Sequence, residues 1–215
     1  MQIKKFEWEK YSTDKNMSGH GYNLAYDYFL SNLKPNVKKI IEIGTRVGSI
    51  KLWLDYFENC KMYGVDLINP NFTSDRFIFE QINQGNDQQW DSFIEKYGKD
   101  FDIIIDDGPH TTLDQLVSFN KLFETLNSGG IYVIEDLHTT EPYDRNYNKF
   151  RKGCDYSILD ILKEFEQRKF KENKYLYNLE YIKSNIGEIR IVKSENNRWP
   201  NDMSESSEIA FIYKK

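Results

Sequence analysis

"FDIIIDDGPHTTLDQLVSF", residues 101–119, runs from a short apolar stretch through two adjacent acids, a glycine, a proline and a histidine into a helical pattern. Phe101 and Ile103 to Ile105 form the near-continuous apolar run of a strand buried on both faces. From Thr112 onward Leu113, Leu116, Val117, Phe119, Phe123 and Leu126 recur at three- and four-residue spacing, which predicts a helix over 112–126. "NSGG" (127–130) reads as the helix stop and the entry to the next strand. Strand, turn and helix in this order form half of a βαβ unit, the building block of parallel sheets.

The same rhythm extends in both directions. Strands are predicted at "VKKIIEI" (37–43), "KMYGVDL" (61–67), "RFIFEQI" (76–82), "DIIIDD" (102–107) and "GIYVIED" (130–136), with helical stretches between them. After about Asp144 the pattern changes. "YSILDILKEFEQ" (156–167) reads as an amphipathic helix, and "GEIRIVK" (187–193) and "EIAFIYK" (208–214) read as an antiparallel hairpin at the sheet's edge. The fold class is therefore α/β: a Rossmann-like, doubly wound, mostly parallel seven-stranded sheet with a C-terminal antiparallel hairpin, in a single domain over 1–215. Residues 1–35 are expected to form a helical or flap segment and 141–155 an active-site loop, while Trp199-Pro200 is expected to anchor the loop 194–207.

Composition narrows the partners. A chain of 215 residues with 29 Lys and Arg against 34 Asp and Glu has no basic excess for a nucleic-acid groove. The N-terminus lacks an apolar h-region and no apolar run approaches the roughly 18 residues of a membrane span, so a cytoplasmic protein without membrane insertion is expected. Only Cys60 and Cys154 occur, which gives neither a disulfide framework nor a zinc cage.

In open parallel sheets ligands bind beyond the carboxyl ends of the strands. Every unusual polar cluster here falls at such an end: "EIGTRVGS" (42–49), Asp66, "NQGNDQQ" (83–89), "DDGPH" (106–110) and "EDLH" (135–138). Charges beside a core are costly unless paired, hydrated or bound to a cation, so the two acids of "DDGPH" call for a partner.

The turn Glu42, Gly44, Thr45, Arg46, Gly48, Ser49 leads into a helix, where glycine permits close backbone approach and the helix N-terminus offers free N–H groups. Asp66 follows about 20 residues later, at the distance where an acid accepts hydrogen bonds from both ribose hydroxyls of an adenosine-containing cofactor. The spacing departs from the G-x-G-x-x-G of nicotinamide binding. An acid two residues before the first glycine suits a cationic cofactor that carries an amino acid, as S-adenosylmethionine does.

"IIEIGTRVGSIKLWLDYF", "YGVDL" and "FDIIIDDGPHTTLDQLVSFNKLFETLNSGGIYVIEDLHTT" closely resemble the class I S-adenosylmethionine-dependent methyltransferases. Within them the likeness is to the metal-dependent sugar O-methyltransferases of mycinamicin-type macrolide pathways and to the bacterial capsule heptose methyltransferases. It is dense over residues 37–140 and thin elsewhere. It implies a divalent cation, Mg²⁺, held by Asp107, Glu135 and Asp136, with His110 as general base. Pro109, where serine is common, and Arg46-Val47 inside the glycine turn depart from the pattern. In this fold the position after the third strand approaches the adenine, which singles out Asp87 and Gln88. Asp106 is read as a strand-end acid that caps the next helix or contacts the cofactor, and His20, Tyr22 and His138 are candidates for the substrate side.

Strands four and five should be neighbours, so Asp107, Glu135 and Asp136 can converge on a hard cation that two vicinal sugar hydroxyls chelate. The expected acceptor is a sugar or nucleotide-sugar, for a surface polysaccharide or a glycosylated natural product, and a homo-oligomer is allowed for. A catechol-type O-methyltransferase would use the same chelation. A non-haem iron oxygenase would need a second histidine beside Asp107 and His110, from His20 or His138. A non-catalytic nucleotide-binding module would leave the concentration of titratable groups at one sheet edge without a task.

Overall fold

The structure is a computed structural model that describes residues 6–142, 144, 147–151, 153–194 and 207–215. Trp199-Pro200 lies outside them, as do parts of the 141–155 segment.

The short helix α1 (Asn23–Leu30) precedes the first strand. There follow β1 (Lys39–Ile43), α2 (Val47–Tyr56), β2 (Lys61–Asp66), β3 (Phe77–Gln81), α3 (Asp87–Tyr97), β4 (Phe101–Asp106), α4 (Thr112–Leu122) and β5 (Leu126–Ile134). Then come α5 (Tyr147–Arg151), α6 (Ile158–Glu166), α7 (Leu179–Asn185), β6 (Ile186–Lys193) and β7 (Glu208–Lys214). Among the described residues the sheet has seven strands in the order β3-β2-β1-β4-β5-β7-β6. The first five pair in parallel, and β7 runs antiparallel to both β5 and β6. This is the expected doubly wound architecture; the hairpin joins it through β7, which leaves β6 as the edge.

The two-residue period of the strands sorts the core onto two faces. Ile41, Ile43, Ile104, Tyr132 and Ile134 pack with Trp90, Leu116, Phe119 and Leu162 on one side. Ile40, Ile103, Ile105, Ile131 and Val133 pack with Trp8, Tyr26, Ile50 and Trp53 on the other. Strand order reverses between β1 and β4, and the crevice at such a reversal is where α/β sheets bind ligands.

One boundary differs from the sequence expectation. The helix from Thr112 ends at Leu122, a 3-10 turn spans Phe123–Thr125, and β5 begins at Leu126, so "NSGG" lies inside the strand. Leu126 already pairs with Phe101, and the Asn127 amide donates to Asp102 at 2.8 Å. Gly129 takes a φ of 78°, and the register shifts between Phe101 and Ile103. The glycines here relieve an irregular strand instead of stopping a helix. The predicted helix over 156–167 forms as α6, with Ser157 and Asp160 in a reciprocal capping box.

Candidate active site

The strand period also decides where the acids go. Glu42 continues the face of Ile40, Asp107 that of Ile105 and Glu135 that of Val133, so three carboxylates from three adjacent strands lie on the side covered by Trp8, Tyr26 and Trp53. Asp106 points the opposite way. It is fully buried and accepts from Gln84 Nε2 at 2.7 Å and Ser118 Oγ at 2.8 Å, and burial raises its pKa against those two donors. It braces the loop after β3 and helix α4 and does not reach the cavity described next.

That cavity has a volume of about 840 Å³, within the usual range for small-molecule sites. Gly44, Arg46 and Ser49 line it from the first turn, Asp66 and Leu67 from the end of β2, and Asp107 to His110 from the end of β4. Gly44 has a φ of 83°, and a Cβ there would overlap the carbonyl oxygen of Asp107, so only glycine lets the two strand ends meet. Gly48 serves a different contact: a Cβ would overlap the carbonyl oxygen of Ser12, in the N-terminal segment that closes the cavity. Thr45 is buried and donates to the Glu42 carbonyl at 2.8 Å, which tightens the turn from behind.

Glu42 lies beneath the turn, accepting from Ser49 Oγ and Trp53 Nε1, each at 2.7 Å. Burial pushes its carboxyl up to about 7, against the pull of Lys15. Asp87 and Gln88 lie away from the cavity. Asp87 accepts from Tyr177 Oη at 2.7 Å, and Gln88 lines a separate shallow groove beside β3. Asn83 and Gln84 stand at the cavity in their place. The reason is that α3 starts at Asp87 and carries it and Gln88 outward, whereas Asn83 and Gln84 are still in the strand-end loop.

Asp107 and His110, which line the cavity, and Asp136 each offer a ligand atom within 4.8 Å of one another. His110 Nε2 is 3.4 Å from Asp136 Oδ2 and 4.0 Å from Asp107 Oδ1. Both His110 and Asp136 adopt left-handed backbone, with φ of 56° and 54°, a conformation that stores strain and is found at sites that demand it. His110 Nδ1 is buried without a hydrogen-bond partner among the described residues. Burial would raise the Asp136 carboxyl, but His110, His20 and His138 outweigh it and hold its pKa at about 2. Tyr22 donates to Asp136 Oδ1, and the His20 ring stacks on Tyr22 with Nδ1 2.6 Å from Ser207 Oγ. His138 turns toward β7, its Nδ1 accepting from the Glu208 amide at 3.4 Å, and burial lowers its pKa.

Glu135 is set deeper. It accepts from Tyr26 Oη and, at 2.7 Å, from the ammonium of Lys15, which is itself fully buried and also paired with Asp107. In the sequence, "STDKNMSGHGYNLAYDYFL" (12–30) combines Asp14, Lys15, His20 and Tyr22 ahead of a helix and reads equally as a flap over cofactor and substrate or as a helix leader; the pairing of Lys15 and Tyr26 with Glu135 is not part of that reading.

The oxygen donors fit a hard divalent cation: the Asp107 and Asp136 carboxylates converge, and the His110 imidazole stands beside them with Nε2 3.4 Å from Asp136 Oδ2. The cavity fits an adenosine cofactor, because the turn residues Gly44, Arg46 and Ser49 and the strand-end acid Asp66 all line it.

No family model matches the sequence. The chain is 30% identical over 139 residues to the L-olivosyl-oleandolide 3-O-methyltransferase of Streptomyces antibioticus, which takes in 61% of this chain and 36% of that protein. It is also 30% identical over 139 residues to the mycinamicin VI 2''-O-methyltransferase of Micromonospora griseorubida, covering 60% and 35%. The chain thus matches a little over a third of the length of these curated relatives. Among solved structures it resembles the methyltransferase of the mycinamycin biosynthetic pathway in complex with Mg, SAH and mycinamycin VI, with a TM-score of 0.75 at 23% identity over 98% of this chain and 55% of that one. The fold is therefore the Rossmann-like methyltransferase fold, and the resemblance to sugar O-methyltransferases expected from the motifs is met.

Proposed function

We propose that this chain is an S-adenosylmethionine-dependent O-methyltransferase that uses a divalent cation, Mg²⁺, to methylate a sugar hydroxyl. The observation that carries this reading is the convergence of Asp107, His110 and Asp136, the first two of which line the same cavity as Gly44 and Asp66. The names of the relatives support a sugar acceptor, and the finer proposal is a nucleotide-linked sugar or glycosylated natural product in the cytoplasm.

When bound, S-adenosylmethionine supplies an electrophilic methyl group, and Mg²⁺ acidifies and orients a chelated hydroxyl. Asp66 accepts from the ribose hydroxyls, and the Gly44 turn lets the backbone approach the cofactor. Asp107 and Asp136 hold the cation, with Glu135 behind them as the third carboxylate of the set. His110 takes the proton of the attacking hydroxyl, and Asp136, 3.4 Å from Nε2, offsets the charge the imidazole gains. The deeply depressed Asp136 carboxyl stays ionised through neutral pH, as both tasks require.

The test is methyl transfer from S-adenosylmethionine to a panel of nucleotide-linked sugars and catechols, titrated first with EDTA and then with Mg²⁺. Transfer to a sugar that stops in EDTA and returns with Mg²⁺ is expected. Full activity in EDTA would remove the cation, and transfer to catechols alone would change the acceptor class.

A further inference from the structure

Lys15 is the most deeply buried charge of the N-terminal segment, and its surroundings are unusual for a lysine. Its side chain has no solvent exposure, and its ammonium meets Asp107 Oδ2 in a short ion pair, Glu135 Oε1 at 2.7 Å and Glu42 Oε1 at 4.0 Å. These partners come from the ends of β4, β5 and β1. Burial works against the ammonium, but Asp107, Glu135 and Glu42 outweigh it and keep it charged. Asp107 is shared: one oxygen faces Lys15 while the other stands 4.0 Å from His110 in the candidate cation site. The backbone around Lys15 is fixed as well, since its carbonyl accepts from the Asn23 amide at 2.8 Å at the start of α1.

Buried carboxylates without a counter-charge would repel one another and resist ionisation. A permanent monovalent cation among them solves that problem before any ion arrives. It also stands against a divalent ion, because like charges repel strongly away from bulk water and because both draw on Asp107.

We propose that Lys15 is a positioning residue, the resident cation of this carboxylate cluster. It holds Asp107 and Glu135 in place in the ion-free protein and weakens the cluster's affinity for a divalent ion by competing for Asp107. The inference rests on the cation reading of the site given above. Its consequence is counter-intuitive: removing Lys15 tightens divalent-ion binding, whereas loss of a merely structural lysine would disorganise the ligands and weaken it.

The experiment is calorimetric titration of Mg²⁺ and Mn²⁺ into the full chain at pH 8 for the parent, Lys15→Gln and Lys15→Met. Thermal melts with and without Mg²⁺ accompany it. Both variants should bind the ion about tenfold or more tightly than the parent and gain more in melting temperature on its addition. Variants that are unfolded alone but fold on adding Mg²⁺ would equally support the proposal, since the ion then replaces the ammonium. Folded variants with equal or weaker affinity, or variants that stay unfolded in saturating Mg²⁺, overturn it. A parent that binds no divalent ion removes the cation reading itself and this inference with it, an outcome distinct from a parent that binds while its variants bind no better.

Discussion

The hydroxyl of Tyr22 both donates to Asp136 Oδ1, at 2.7 Å, and accepts from the Asp136 backbone N–H, at 3.2 Å, so one side chain fixes the carboxylate and the left-handed backbone that carries it. Tyr22 is buried and immediately precedes α1, so the clamp is itself held rigidly. Tyr22→Phe keeps the ring and removes both bonds, together with the 3.2 Å contact of the hydroxyl to the Glu208 carbonyl. The variant should fold with a loss of about 1.5–3 kcal/mol, the scale of a hydrogen bond to a charged group. Mg²⁺ affinity should fall severalfold while S-adenosylhomocysteine binds as in the parent. Parallel calorimetric titrations read both, and unchanged ion affinity would show that Asp136 needs no clamp.

Asp66 lines the cavity at the end of β2, where its Oδ1 also accepts from the Ile68 amide at 3.0 Å. Asp66→Ala should weaken S-adenosylhomocysteine binding by roughly tenfold or more, in keeping with about 1–3 kcal/mol for unpaired ribose hydroxyls, with circular dichroism unchanged. A variant that binds as tightly as the parent takes Asp66 out of the cofactor site.

His110 and Asp107 should separate in kinetics. His110→Ala is expected to lose roughly 10² to 10⁴ in turnover, the scale of a removed general base, and to recover part of it as pH rises and the acceptor ionises more readily. Asp107→Asn should instead raise the Mg²⁺ concentration needed for half-maximal rate, so that excess ion restores activity. A His110→Ala enzyme as fast as the parent moves the base elsewhere.

Glu42 predicts a pH dependence of stability. Its carboxyl titrates near 7 in the fold, raised chiefly by burial, against an ordinary 4.5. Between those values the folded chain holds a proton that the unfolded chain has lost. Its contribution is fully present below pH 4.5, declines as pH rises through 7 and is gone above it, a span worth roughly 3 kcal/mol. Glu42→Gln removes this slope. Urea unfolding from pH 5 to 8 should therefore show the parent losing stability relative to the variant, and parallel profiles would mean that Glu42 is ionised throughout.

Local pattern alone determined the strand rhythm, the glycine turn at Gly44, the acid at Asp66 and the clustering of "DDGPH" and "EDLH" at strand ends. Each is written in neighbouring residues, through a two- or three-to-four-residue period or a fixed offset from a strand. The side of the sheet each acid faces needed only that period as well. Tertiary structure decided what the acids meet there. Lys15 reaches Glu135 across 120 positions of sequence, and Tyr26 reaches it across 109, contacts that no local pattern encodes. Asp87 and Gln88 read as strand-end residues but belong to a helix that starts there and turns them away, while Asn83 and Gln84 remain at the cavity. The physical reason is common to all of these. Backbone conformation follows from the nearest residues, but the pairing of a buried charge depends on which distant segment packs over it, and only the closed fold sets that choice.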